Sequence, residues 1–175
     1  MLNERLFHVS SDPLIRFFEP RPSPSVFEKI MGPVVFAVSE KLLHNYLLPR
    51  DCPRVTFYAG AKSDPRDVDR FMGDTQAGYV MAVEKKWVPD IIGSTVYVYE
   101  LPPEGFTLLD ECAGYYISYE GVAPLSVTPV TDILGALLDR DLELRLLPSL
   151  WALADAIVRS SLNFSCIRMR NAGPR

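Results

Sequence analysis

His8 and Ser10 stand two residues apart in the short run Leu6-Phe7-His8-Val9-Ser10, and His8 is one of only two histidines in the chain. In an extended segment Leu6, His8 and Ser10 share one face while Phe7 and Val9 take the other. An imidazole placed there, beside a small hydroxyl, can donate a hydrogen bond to a ribose hydroxyl while the local backbone pairs with a flat amide ring. The plainer alternative is a partly buried histidine that satisfies a neighbouring backbone group.

A second constellation is Pro49-Arg50-Asp51-Cys52-Pro53-Arg54. Arg50 or Arg54 can clamp a pyrophosphate through paired N–H donors. Cationic neighbours can also lower the pKa of the Cys52 thiol. The plainer alternative is an Arg50–Asp51–Arg54 network that pins the loop, with Cys52 buried as a small apolar residue. Arg21, in the proline-rich run Glu19-Pro20-Arg21-Pro22-Ser23-Pro24, is a similar cationic candidate on what reads as an extended loop.

Common catalytic signatures are missing. No G-x-G-x-x-G follows a strand and no phosphate-cradling G-x-x-x-x-G-K-[ST] is present. Two histidines, His8 and His44, give no H-E-x-x-H and no three-histidine metal site. No G-x-S-x-G elbow supports a serine nucleophile.

The elements that must position these residues read as a mixture. Strands rich in β-branched and aromatic residues are expected over Leu6–Ser10, Val34–Val38, Arg54–Tyr58, Tyr79–Val83, Val96–Leu101, Tyr115–Ser118 and Glu143–Leu146. Ser39 reads as the N-cap of a helix whose face carries Leu42, Leu43, Tyr46 and Leu47, ended by Pro49. Ser63 or Asp64 caps a second helix, with Val68, Phe71 and Met72 inward and Gly73 as its stop. Thr131 opens a third, with Leu134, Leu137 and Leu138 inward. From Ser149 the spacing of Leu150, Leu153, Ala154, Ile157 and Val158 is helical, and 163–169 reads as a continuation of the helix or as a last strand, with helix preferred because Ile167 is its only β-branched residue. Strands and helices do not alternate strictly, which favours α+β over a doubly wound sheet. The aromatics Tyr97, Tyr99, Phe106, Tyr115 and Tyr116 concentrate in the middle third, where they serve as core or as pocket lining.

Composition sets the frame. At 175 residues and 48% apolar content the chain is read as one globular domain spanning 1–175. A net charge of −4, spread over both halves, offers no basic surface to grip nucleic acid. The start, Met1-Leu2-Asn3-Glu4-Arg5, has charges where a signal peptide has its apolar stretch. No apolar run reaches the roughly 18 residues that cross a bilayer. Cys52, Cys112 and Cys166 are too scattered for a disulfide framework or a zinc knuckle. The expectation is a cytoplasmic protein without a membrane segment.

Leu6-Phe7-His8-Val9-Ser10 resembles the first motif of the ADP-ribosyltransferase superfamily, whose members carry His followed two positions on by a small hydroxylated residue. Val35-Phe36-Ala37-Val38-Ser39 through His44-Asn45-Tyr46 resembles the second motif of its His-Tyr-Glu branch. The resemblance implies a fold of mixed, mainly antiparallel sheets with peripheral helices, and NAD as substrate. It assigns the ribose to His8, with Ser10 beside it, and the nicotinamide to Tyr46, an aromatic face against a cationic ring. The branch also places a glutamate where its charge stabilises the ribose as nicotinamide leaves, as in glycoside cleavage. Gly114-Tyr115-Tyr116-Ile117-Ser118-Tyr119-Glu120 carries the best candidate, Glu120. Tyr115 is an alternative occupant of that position, which would leave no acid, and Glu111 and Glu100 are further candidates.

An RNA 2'-phosphotransferase-like activity would need several convergent basic residues. A non-catalytic nucleotide- or peptide-binding module would need no acid, and a plain interaction domain would pack His8 away. The chain also resembles a bacterial family of unknown function over nearly its whole length, through Leu48-Pro49-Arg50-Asp51-Cys52-Pro53-Arg54-Val55-Thr56-Phe57 and Leu147-Pro148-Ser149-Leu150-Trp151.

Overall fold

The computed structural model describes residues 4–23, 27 and 29–175. The expectations that touch Met1, Leu2, Asn3 and Pro24 lie outside these. Among the described residues there are ten strands and four α-helices, with short 3-10 segments. The chain is α+β, and among the described residues all but one of the strand pairings are antiparallel. Among the same residues no helix is long and apolar enough to cross a membrane. Two compact units divide it: Met1–Leu43 with Thr95–Val130, and His44–Ser94 with Thr131–Arg175.

The first unit is a six-stranded antiparallel sheet. Its strands are β1 (Leu6–Ser10), β2 (Val35–Ser39), β5 (Val96–Leu101), β6 (Thr107–Asp110), β7 (Tyr115–Ser118) and β8 (Ser126–Val130), in the order β6-β7-β2-β1-β5-β8. One face carries Leu6, Phe18, Val35, Ala37, Tyr99, Leu101, Phe106 and Tyr116 as a buried cluster. The other carries Val34, Leu109 and Ile117, with Phe27, Phe36 and Tyr115 against them. The alternation read from the sequence holds here, since Leu6 and Tyr99 lie on one side and Phe36 and Tyr115 on the other.

The register contains one irregularity that matters. β1 pairs with β5 along its full length, from Leu6↔Leu101 through His8↔Tyr99 to Ser10↔Tyr97. β2 pairs with β7 from Val35↔Ser118 to Val38↔Tyr115. Between β1 and β2 the ladder holds only Leu6↔Ser39 and Phe7↔Val38. The two strands part at His8.

The second unit is a four-stranded sheet of β3 (Arg54–Tyr58), β4 (Tyr79–Glu84), β9 (Leu142–Leu147) and β10 (Asn163–Ile167), ordered β10-β3-β4-β9. β4 and β9 are parallel. Val55, Phe57, Val80 and Ala82 on one face meet Phe71 and Met72 of α1 (Pro65–Met72) and Leu150, Ala154 and Ile157 in and beside α4 (Trp151–Ile157). Asp64 caps α1 through its carboxylate on the Arg66 amide at 2.8 Å, an interaction worth about 1 kcal/mol. Gly73, at φ +55, returns its amide to the Val68 and Asp69 carbonyls and ends the helix.

Several expectations change. The stretch 163–167, expected as helix, is β10, paired along its length with β3. Phe164 and Cys166 alternate onto the core face, and the available strand edge overrides weak β-propensity. β8, which contains Pro129 and is not among the expected strands, sits at the sheet edge, where a missing N–H is tolerated. β6 and α2 (Val88–Gly93) are additional elements. Glu40–Tyr46 is a 3-10 helix rather than α, and Ser39 before it is the last residue of β2. The third helix is α3 (Ile133–Leu138), capped by Asp132 on the Gly135 amide, with Ile133 and Leu137 buried and Leu138 60% exposed.

Candidate functional site

His8 lies at the rim of the first unit's aromatic core. Along β1 burial falls away from Leu6 and Phe7, which are buried, to His8 and Ser10, which are partly open. The His8 Nδ1 lies 3.0 Å from the Phe36 carbonyl oxygen. A carbonyl can only accept, so Nδ1 carries the proton in this contact. This differs from the expected donor role, because the backbone of β2 takes the N–H.

The segment 11–22 crosses the same face. Phe18 is its buried residue, with its ring centroid 4.8 Å from that of His8 and 5.3 Å from that of Tyr99. Its amide donates to the Val122 carbonyl at 2.8 Å, and the Val122 amide donates back at 3.1 Å. Arg21 and Val34 exchange a second pair of backbone bonds. The Tyr99 hydroxyl donates to the Asp12 carbonyl and accepts from the Ile15 amide. The Ser10 hydroxyl oxygen accepts from the Asp12 amide at 3.1 Å, so Ser10 anchors the start of this segment. Phe18 and Asp12 carried no signal in the sequence, and Tyr99 was legible only as core or pocket lining: an aromatic between prolines does not announce its partner.

The register sorts the acid candidates. β7 ends at Ser118, paired with Val35 at the start of β2, while antiparallel β1 ends at Ser10. Glu120, two residues past β7, therefore lies at the same end of the sheet as Ser10. It is exposed, and its backbone, through the amide and carbonyl, is held by the Ser118 hydroxyl at 3.1 Å. Val122, two residues on, is the residue bridged to Phe18. Tyr115 is at the opposite end and on the opposite face, edge-on to Phe27 and Phe36. Glu111 lies in the turn before it. Glu100 pairs opposite Phe7 and is gripped by Arg5 at 2.9 and 3.0 Å, which holds its carboxyl below the usual range.

Tyr46, Arg50 and Arg54 belong to the second unit. Tyr46 closes the 3-10 helix, half-buried, with the Arg54 guanidinium carbon 5.7 Å from its ring centroid. Arg54 is 2% exposed and donates to the Asn45 carbonyl at 2.9 Å and the Cys52 carbonyl at 2.7 Å. Its fork thus holds the loop from inside, whereas Arg50 is exposed. Burial pushes the Cys52 thiol up to about 12 against the opposing charge of Arg54, so it is a protonated interior group. His44 is also buried, 4.7 Å ring to ring from Tyr79, and burial followed by the charge of Arg140 lowers it to about 4.

A groove of about 230 Å³ on the second unit is lined by Asp67, Arg70, Phe71, Asp155 and Arg159 among others, and includes none of the expected site residues. Among the described residues no cluster of His, Cys, Asp and Glu is arranged to hold a metal ion.

The chain belongs to a family of unknown function, DUF6886, whose family model matches residues 7–172. No curated protein and no solved structure matches it.

Proposed function

We propose that this protein binds NAD, with its ribose at His8 and Ser10, and cleaves the ribose–nicotinamide bond in the manner of an ADP-ribosyltransferase or glycohydrolase. The observation that carries this reading is the parting of β1 from β2 at His8. A sheet whose ladder stops between two central strands presents a side chain at that point, where a nucleoside can meet it. His8 accepts a ribose hydroxyl at Nε2 while the Phe36 carbonyl keeps the ring oriented. Glu120, at the same end of the sheet, supplies the negative charge that favours departure of nicotinamide with its bonding electrons. Water or an acceptor nucleophile then bonds to the ribose carbon and loses its proton.

Tyr46, Arg50 and Arg54 belong to the second unit and take no part in this reading, in which Arg54 holds its own loop through the Asn45 and Cys52 carbonyls.

A second reading, a non-catalytic nucleotide-binding module, is favoured by one feature. The turn at Glu120 is tied through its backbone, with its carboxylate facing solvent.

Calorimetric titration of NAD, followed by assay of nicotinamide release, tests both. The expected result is binding by wild-type protein, its loss in His8→Ala with folding intact, and retained binding without turnover in Glu120→Gln. Binding that survives His8→Ala, or no binding by folded wild-type and Phe18→Ala proteins alike, overturns the NAD reading. Binding without turnover in wild type selects the module.

A further inference from the structure

We propose that residues 12–22 form a strap that closes the site, and that a ligand reaches His8 and Ser10 only when Phe18 moves out of the opening between β1 and β2. The inference rests on the reading of His8 and Ser10 as the ligand-binding pair. Phe18 belongs to one buried cluster with Leu6, Tyr99 and Leu101 of β1 and β5 and with Val35, Ala37 and Tyr116 of β2 and β7, and its ring centroid lies 4.8 Å from that of His8 and 5.3 Å from that of Tyr99. Where the ladder stops, an aromatic ring from elsewhere in the chain lies against His8.

The strap is fastened lightly enough to move. Phe18 is its one buried residue, while Leu14 and Phe17 are 76% and 50% exposed. Among the described residues its hydrogen bonds include Asp12 to Ser10, Leu14 to Asp12, Asp12 and Ile15 to the Tyr99 hydroxyl, Phe18 to Val122, and Arg21 to Val34. Pro13, Pro20 and Pro22 fix backbone angles along it, which favours movement as a stiff piece about its ends. The closed strap also occupies Ser10, whose hydroxyl oxygen accepts from Asp12. Both members of the pair are therefore engaged in the closed form, and opening releases both. The bridge to Val122 links the strap to the turn that carries Glu120, so the strap spans the candidate binding residues and the candidate acid.

Acylation of histidine by diethyl pyrocarbonate reads the strap without any nucleotide. His44, at 1% exposure, serves as the slow internal reference. The rate at His8 is followed by peptide mass spectrometry in wild-type, Phe18→Ala and Tyr99→Phe proteins, each with thermal melting to verify folding. Tyr99→Phe removes only the hydroxyl that ties down Asp12 and Ile15, so it loosens the strap with the aromatic core retained. The strap predicts a rise in the His8 rate of roughly threefold or more in Tyr99→Phe and more in Phe18→Ala, with NAD affinity rising in parallel as the competent fraction grows. Unchanged His8 rates in both folded variants overturn the strap, even if NAD binds. Raised His8 rates with no NAD binding by any variant leave the strap standing and overturn the NAD reading.

Discussion

The His8 imidazole and the Phe36 carbonyl are joined across the place where β1 and β2 separate, at 3.0 Å. A side chain there does what a ladder bond does elsewhere in the sheet. His8→Ala should therefore cost about 1 to 2 kcal/mol of stability, since a backbone carbonyl loses its partner. Urea denaturation measures it, and a value near zero would mean that water replaces the ring without penalty.

Glu84 should give the second unit an acid-sensitive limb. Its carboxylate is 1% exposed, holds the Gly173 amide at 2.9 and 3.0 Å, and meets Lys86 at 3.0 Å. Burial works to raise its pKa, but Lys86 and the Gly173 and Leu150 amides together hold it below the usual glutamate range. A folded value below the unfolded one means stability that is complete above the unfolded pKa and lost as pH falls through the folded value. Glu84→Gln should flatten the acid side of a stability–pH curve, and Glu84→Ala should cost about 3 kcal/mol near neutrality.

The thiols should separate by burial. Cys52 and Cys166 are raised by burial to about 12 and about 11, while Cys112 is exposed. One thiol per chain should react promptly with Ellman's reagent at pH 8, the other two only on unfolding. Because both folded values are raised, their contribution to stability is complete below the ordinary thiol pKa and declines as pH rises through these values. Fast reaction of Cys52 in folded protein would contradict the interior assignment.

Two glycines with positive φ should respond differently to alanine. A Cβ at Gly114, φ +65, would lie 2.6 Å from the Ser39 hydroxyl and 2.9 Å from a Leu42 methyl, while Gly73, φ +55, has only a backbone oxygen at 3.7 Å. Gly114→Ala combines strain with overlap and should cost about 2 to 3 kcal/mol. Gly73→Ala carries strain alone and should cost about 1 kcal/mol. Thermal melts of the pair provide the comparison.

Alternating patterns made much of this legible beforehand. Leu6–Ser10, Arg54–Tyr58, Val96–Leu101 and Tyr115–Ser118 stand where their β-branched and aromatic residues put them. Asp64, Pro65 and Gly73 mark both ends of α1 through local chemistry. What depends on distant partners was not legible. β10 is a strand because β3 has an edge to fill, and β8 tolerates Pro129 because no further strand follows it. The sequence shows which face His8 takes, but not that the ladder stops beside it or that the Phe18 ring lies against it. Arg54 is a similar case: its charge suggests a ligand clamp, and only the fold shows two loop carbonyls in its grasp.

The chain threads the two units alternately, with residues 44–94 of one lying between the two segments of the other. During synthesis, therefore, no early stretch of polypeptide holds a finished sheet. β1 and β2 emerge long before β5 and β7 can pair with them, and β4 waits for its parallel neighbour β9 across nearly sixty residues. Such long-range pairings slow folding, because loop closure must precede the contacts that reward it. Cutting the gene at a single point cannot yield either unit intact; isolating one requires splicing its two segments together.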